Sequence, residues 1–136
     1  MGRIRSVDRN RYIDYLKRAE ECFDVVRIAY ENSKWQACAV NAIIGVIATA
    51  DALCIFEKGI RSASERHDDA LAIFLDINRE DEGIRNNAKR LGQLLAMKTD
   101  ASYGERLITK KEAEEIKAQA ERFFQFVKDR INKKIS

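Results

Sequence analysis

Arg61 and His67 are the two residues of this sequence whose types and spacing could carry out a reaction. His67 is the single histidine of the chain, and a histidine side chain can take up or release a proton near neutral pH. An arginine carries a permanent positive charge in a planar fork that fits a phosphate group. A proton-transfer group beside a phosphate-binding group is the smallest set that can cut RNA without a metal ion. The pair therefore leads to the hypothesis of a ribonuclease site.

The spacing of this pair restricts where each residue can lie. Side chains six residues apart on a straight helix point about 120° away from each other. Arg61 must therefore lie in the turn before the helix of His67, or reach around the start of that helix. Gly59 is a plausible end of the preceding helix, and the N-terminus of the next helix would attract an anion such as phosphate.

The same two residues also have an ordinary structural interpretation. A lone histidine near a helix start is most often a surface residue, and Arg61 could form an ion pair with Glu57 or Glu65. The site hypothesis requires Arg61 to lie off the helix and on the same side as His67, which distinguishes the two interpretations.

Asp51 is a further candidate, because it lies with Asn41 on the most apolar stretch of the chain. A buried carboxylate can bind a partner or carry a shifted pKa. More commonly, it forms a hydrogen bond with a neighbouring helix. Both roles are open from the sequence.

The composition indicates one helical domain over residues 1–136. Charged residues make up 35% and hydrophobic residues 46%, and there is no proline to interrupt long helices. The net charge of +3 permits an RNA partner without requiring one. Cys22, Cys38 and Cys54 form no C-x-x-C pair, so we expect buried thiols in a cytoplasmic protein, with no metal site and no cofactor.

Apolar residues at three- and four-residue steps predict an all-α fold, an antiparallel up-and-down bundle of four to five helices. A capping box is expected at Ser62-Ala-Ser-Glu65, with Ser64 as an alternative cap, and a second at Thr109-Lys-Lys-Glu112. The predicted helices cover residues 8–31, 34–58, 64–77, 79–98 and 109–132. Residues 99–108 are predicted as the longest break, and no strand is expected.

The second predicted helix is apolar almost all round, which raises the question of a membrane span. It contains Gln36, Asn41, Thr49 and Asp51, and an ionised aspartate inside a bilayer is costly. A central helix wrapped by its neighbours, or one in an oligomer interface, explains the pattern without a membrane.

This layout resembles the HEPN family, whose members are small all-α bundles, usually dimeric, with an Arg-x(4–6)-His motif. Arg61-Ser-Ala-Ser-Glu-Arg-His67 has five intervening residues and lies at the junction between the long apolar helix and the next one. A weaker similarity is Ala101-Ser-Tyr103-Gly104, where many relatives carry Ala-Asp-Tyr with an arginine a few residues earlier. Ser102 stands at the acid's position here, and Lys98 stands near the arginine's.

The resemblance implies metal-independent RNA cleavage, in which the 2′-hydroxyl attacks the adjacent phosphate. His67 would be the acid and base, and Arg61 would bind the phosphate and the transition state. Tyr103 and Arg66 are candidate contacts to RNA or to a partner, although Tyr103 could instead pack on the bundle. One motif per chain implies a homodimer that brings two motifs together.

Two functional hypotheses follow. The first is a HEPN-like endoribonuclease, the toxin of a toxin–antitoxin pair whose antitoxin is a nucleotidyltransferase. The second is a non-catalytic HEPN interaction module that binds a partner nucleotidyltransferase or its nucleotide or RNA substrate.

Overall fold

Helices account for 77% of the computed structural model, which describes residues 3–136. The predicted all-α bundle is therefore confirmed. Across residues 3–136 the helices are α1 (Tyr12–Glu31), α2 (Trp35–Lys58), α3 (His67–Leu75), α4 (Glu82–Ala96), α5 (Lys98–Tyr103) and α6 (Lys110–Ile135). Two strands, β1 (Ile4–Ser6) and β2 (Ile60–Ser62), which are far apart in the sequence, pair in a two-stranded antiparallel sheet.

The apolar helix α2 lies at the centre of the bundle, packed mainly against α1 and α6. α2 is long and apolar enough to cross a membrane by length and composition alone, but 56% of its most apolar stretch is buried inside the fold. Gly45 permits a close approach, because a Cβ atom there would lie 3.0 Å from the Phe23 ring. The role of α2 as the core helix therefore explains its composition.

The outer helices bury one apolar side each, as their periodicity predicts. Phe74 of α3 and Phe123 of α6 are fully buried, and their ring centroids lie 5.4 Å apart. Phe23 of α1 stacks on Phe124 of α6 with centroids 4.7 Å apart. These contacts join α1, α3 and α6 around the central helix.

Several helix ends follow from local chemistry. Thr109 and Glu112 form the predicted capping box at the start of α6, and Gly59 ends α2 in the left-handed conformation with φ of 66°. The Asp81 carboxylate accepts a hydrogen bond from the backbone N–H of Ile84, which caps α4.

Several predicted boundaries are wrong, and the helix predicted from residue 79 begins at Glu82. The first helix begins at Tyr12, because the preceding residues form a short 3-10 turn capped by Asp8. α3 begins at His67, and its N-cap Arg66 has no side-chain capping bond, so the capping box predicted at Ser62–Glu65 is absent within residues 3–136. The predicted break at 99–108 contains the short helix α5.

The two-stranded sheet of β1 and β2 was not predicted from the sequence. Each strand has three residues, with Arg5 opposite Arg61 in the register. The Val7 N–H donates to the Gly59 carbonyl, and the Ala63 N–H donates to the Arg3 carbonyl, which extends the pairing at both ends. This two-stranded sheet fixes the backbone between α2 and α3.

Candidate functional site

A cleft of about 150 Å³ opens where α2, β2, α3 and the start of α5 meet. Its polar lining includes Asp51, Arg61, Ser64, Arg66, His67 and Lys98. The two motif residues therefore line the same cleft, although they come from different elements.

Arg61 lies on β2, off the helix, as the spacing argument requires. Its Nη1 donates to the Ser62 carbonyl at 3.0 Å and lies 3.8 Å from Asp51 Oδ2. Its Nε atom is buried and has no hydrogen-bond partner within residues 3–136. Since a buried donor without a partner costs free energy, the guanidinium retains unused capacity to bind an acceptor.

His67 is the first residue of α3 and is partly buried. The turn before it is held by Ser64, whose hydroxyl accepts from the Arg66 N–H at 3.0 Å and donates to the Asp69 carboxylate at 2.7 Å. This turn aims the start of α3 at the cleft. Arg61 thus lies off the helix and lines the same cleft as His67.

Asp51 supplies the carboxylate of the cleft from the central helix. Its side chain is 18% exposed. Burial raises the pKa of Asp51 to about 6, and the nearby positive charges of Arg61 and Arg18 oppose that rise. The ion pairs considered for Arg61 from the sequence, with Glu57 or Glu65, are replaced by this longer-range contact.

Glu57 has other partners, which explains why Arg61 does not bind it. Its carboxylate accepts from Arg130 Nε at 3.3 Å and from Lys134 Nζ at 2.7 Å. Both partners lie on α6. Glu57 therefore ties the end of α2 to α6 rather than to the cleft.

Tyr15 of α1 forms an aromatic surface beside Arg61. The Arg18 guanidinium lies 4.5 Å from the centre of the Tyr15 ring, and the Arg61 guanidinium lies 5.8 Å from it. Both distances allow a cation–π contact. Tyr15 was not singled out from the sequence. The three-residue spacing of Tyr15 and Arg18 was a usable signal, because such residues are neighbours on a helix.

The two candidate contact residues have different positions. Arg66 lines the cleft, with a side chain that is 77% exposed and lies 4.0 Å from Asp69. Tyr103 ends α5, is 86% exposed and does not line the cleft. The alternative that Tyr103 packs on the bundle is wrong. Lys98, five residues earlier, is the residue of this segment that reaches the cleft.

The three cysteines are free thiols, and Cys38 and Cys54 are buried. Burial raises the pKa of all three thiols. In the described range 3–136, no group of three or more His, Cys, Asp and Glu side chains could hold a metal ion.

The arrangement combines a guanidinium, an imidazole and a lysine around one small opening. Such a set can hold a phosphate group and move a proton beside it. The family model of the HEPN domain matches residues 12–130, which cover α1 to most of α6 and include every residue that lines the cleft. A comparison with curated proteins gives no match. On the extent of the family match, the chain belongs to the HEPN domain family.

Proposed function

We propose that the protein is a metal-independent endoribonuclease of the HEPN type that acts in the cytoplasm as the toxin of a toxin–antitoxin pair. The observation that carries the proposal is the position of Arg61 and His67 on two walls of one cleft. Free, partly or fully buried cysteines suit a reducing compartment. A nucleotidyltransferase is the expected antitoxin, on the resemblance to two-part systems of this family.

The reaction assigns one role to each motif residue. The ribose 2′-oxygen attacks the adjacent phosphorus, and the bond from phosphorus to the 5′-oxygen of the next nucleotide breaks. The products are a 2′,3′-cyclic phosphate and a 5′-hydroxyl. His67 moves the proton between the 2′-hydroxyl and the leaving oxygen. Arg61 binds the phosphoryl oxygens, where negative charge increases in the transition state.

A homodimer is part of this proposal, with one side of α2 as its surface. Val40, Ile44, Ile47 and Asp51 lie within about 60° of one another around the helix axis. Ile44 is 47% exposed, although its helix is otherwise the core of the fold. Ile47 and Asp51 line the cleft, so pairing two chains through this side of α2 would place two clefts next to each other.

The test is cleavage of a structured RNA by the purified protein in the presence of EDTA. We expect cleavage by the wild type and a loss of about 10²–10⁴-fold in His67→Ala. Arg61→Lys keeps the charge but loses the fork, so we expect a loss of about 10²–10³-fold. The matched control is Arg122→Lys, on an exposed position of α6. Equal activity in all four proteins, or none in the wild type, contradicts the proposal.

The second candidate function is a non-catalytic module that binds a nucleotidyltransferase or its nucleotide or RNA substrate. Exposed apolar side chains near α5 favour it, because Tyr103 is 86% and Leu107 77% exposed beside a cleft of about 390 Å³. Co-purification with a nucleotidyltransferase encoded next to the gene, together with unchanged RNA in the EDTA assay, would support this function over the first.

A further inference from the structure

The two-stranded sheet places Arg3 and Arg5 next to Arg61, the arginine of the motif. Arg5 is the Cα partner of Arg61 across the two strands, and directly opposite residues project from the same face of a sheet, with Cβ atoms about 5 Å apart. Arg3 precedes β1 by one residue, so it alternates onto that face as well. Both side chains are exposed.

This arrangement of charge is unfavourable without a ligand. Like charges directly opposite each other destabilise a strand pair, and this sheet has only three residues in each strand. Within residues 3–136, Arg3, Arg5 and Arg18 form no salt bridge. The Asp51 carboxylate lies beside Arg61. Arg3, Arg5 and Arg18 therefore contribute positive charge that no ion pair within the described residues offsets.

The two sides of the cleft differ in charge. The α3 side has three carboxylates, Glu65, Asp68 and Asp69, against one positive charge, that of Arg66, which lies 4.0 Å from Asp69. The opposite side has Arg3 and Arg5 at β1. It also has Arg18 of α1, whose guanidinium lies over the Tyr15 ring. A polyanion held at Arg61 would be repelled along α3 and attracted along β1.

We propose that β1 is a binding track for the RNA backbone, in which Arg3 and Arg5 hold the phosphates that flank the one bound by Arg61. The ligand is a ribose-phosphate chain, recognised through its phosphates without regard to base sequence. The track rests on the proposed function, since it places the scissile phosphate between Arg61 and His67. Arg18 lies close enough to Asp51 to lower the pKa of that carboxyl, and 4.5 Å from the centre of the Tyr15 ring.

The experiment measures binding, so that it does not depend on cleavage. Fluorescence anisotropy of a labelled mixed-sequence oligoribonucleotide is recorded with full-length His67→Ala protein over a series of NaCl concentrations. Each phosphate contact to a single strand contributes about 0.7 to the slope of log K against log salt. We expect the additional changes Arg3→Gln and Arg5→Gln to lower that slope by about 1.4 and the affinity by roughly tenfold near 0.1 M salt.

The matched control removes the same charge elsewhere. Lys89→Gln with Arg122→Gln, on exposed positions of α4 and α6, should leave the slope unchanged. Circular dichroism melts confirm that each variant folds. Equal losses in the track and control variants would show a net-charge effect only and overturn the track. RNA binding that is absent in the parent would also overturn it and leave β1 as a surface for a protein partner.

Failure of the track and failure of the proposed function give different results. If wild-type cleavage proceeds but the slope does not respond to Arg3 and Arg5, the track is wrong and the site stands. If His67→Ala cleaves RNA as well as the wild type but the slope falls as expected, the catalytic assignment is wrong and the track stands.

Discussion

Asp51 Oδ2 lies 3.8 Å from Arg61 Nη1, and this contact connects the core helix α2 to strand β2. Both side chains are largely shielded from water, with 18% and 23% exposed. The distance is too long for a direct hydrogen bond, so the carboxylate attracts the guanidinium without occupying its donors. Arg61 is therefore held at the cleft while it keeps donors for a phosphate.

Burial of Asp51 disfavours its charged form, and this predicts how the free energy of unfolding depends on pH. The pKa of Asp51 rises from its ordinary value of 3.8 to about 6 in the folded protein, mainly through burial. A raised folded-state pKa means that the favourable contribution is present below about pH 4 and is lost as the pH rises through about 6. Asparagine resembles the protonated carboxyl and has no such loss.

We therefore expect Asp51→Asn to be more stable than the wild type at pH 8, by about 1–3 kcal/mol, and nearly equal to it at pH 4. Urea denaturation at both pH values measures the difference. Asp24→Asn, an exposed position on α1, is the control for the change in net charge. A stability difference of the same size at both pH values would contradict the assigned cause.

The close contact between α1 and α2 predicts the effect of changing Gly45. Alanine normally stabilises a helix interior relative to glycine by about 1 kcal/mol. A Cβ at Gly45, however, would lie 3.0 Å from the Phe23 ring and 3.2 Å from the Cys22 Cβ. We expect Gly45→Ala to lower the free energy of unfolding by about 1–3 kcal/mol.

Gly92→Ala is the matched control, because its nearest contact would be Leu71 Cδ2 at 3.4 Å, an ordinary distance to a flexible side chain. That variant should be neutral or slightly stabilised. Equal stabilisation of both variants in thermal melts would mean that α1 and α2 are not packed as closely as described.

The exposed side of α2 predicts the oligomeric state. Ile44→Glu places a charge in the middle of the proposed dimer surface, where leaving it unpaired on burial is costly. We expect this variant to be a monomer by sedimentation at concentrations where the wild type is a dimer. Ile28→Glu is the control, since Ile28 is 60% exposed but lies on α1. Dissociation by Ile28→Glu alone would move the interface to α1.

The helices could be predicted from the sequence because their apolar periodicity extends over many turns. The capping box at Thr109 and the stop at Gly59 were predictable for a different reason, since each depends only on residues within one turn. The two-stranded sheet could not be predicted, because three-residue strands contain too few alternations of polar and apolar residues to be distinguished from a loop. α5 has six residues, which is likewise too short for a periodic signal.

The site could be predicted in part. The spacing of Arg61 and His67 required the arginine to lie off the helix, and β2 provides that position. The partner of Arg61 could not be derived, because Glu57 and Glu65 are closer in sequence than Asp51, and the choice depends on α6 taking Glu57. The contact between Tyr15 and Arg61 could not be derived either, because it depends on how α1 packs beside strand β2.

The most direct test of the central claim is the chemistry of the RNA ends left by the protein. Products formed in EDTA are treated with a phosphatase that removes linear but not cyclic phosphates, and their mobility is compared before and after mild acid opens the cyclic ends. The account predicts 2′,3′-cyclic phosphate and 5′-hydroxyl ends from the wild type, and no such products from His67→Ala or Arg61→Ala. Ends with a 5′-phosphate, or the same cyclic products from His67→Ala, would contradict it.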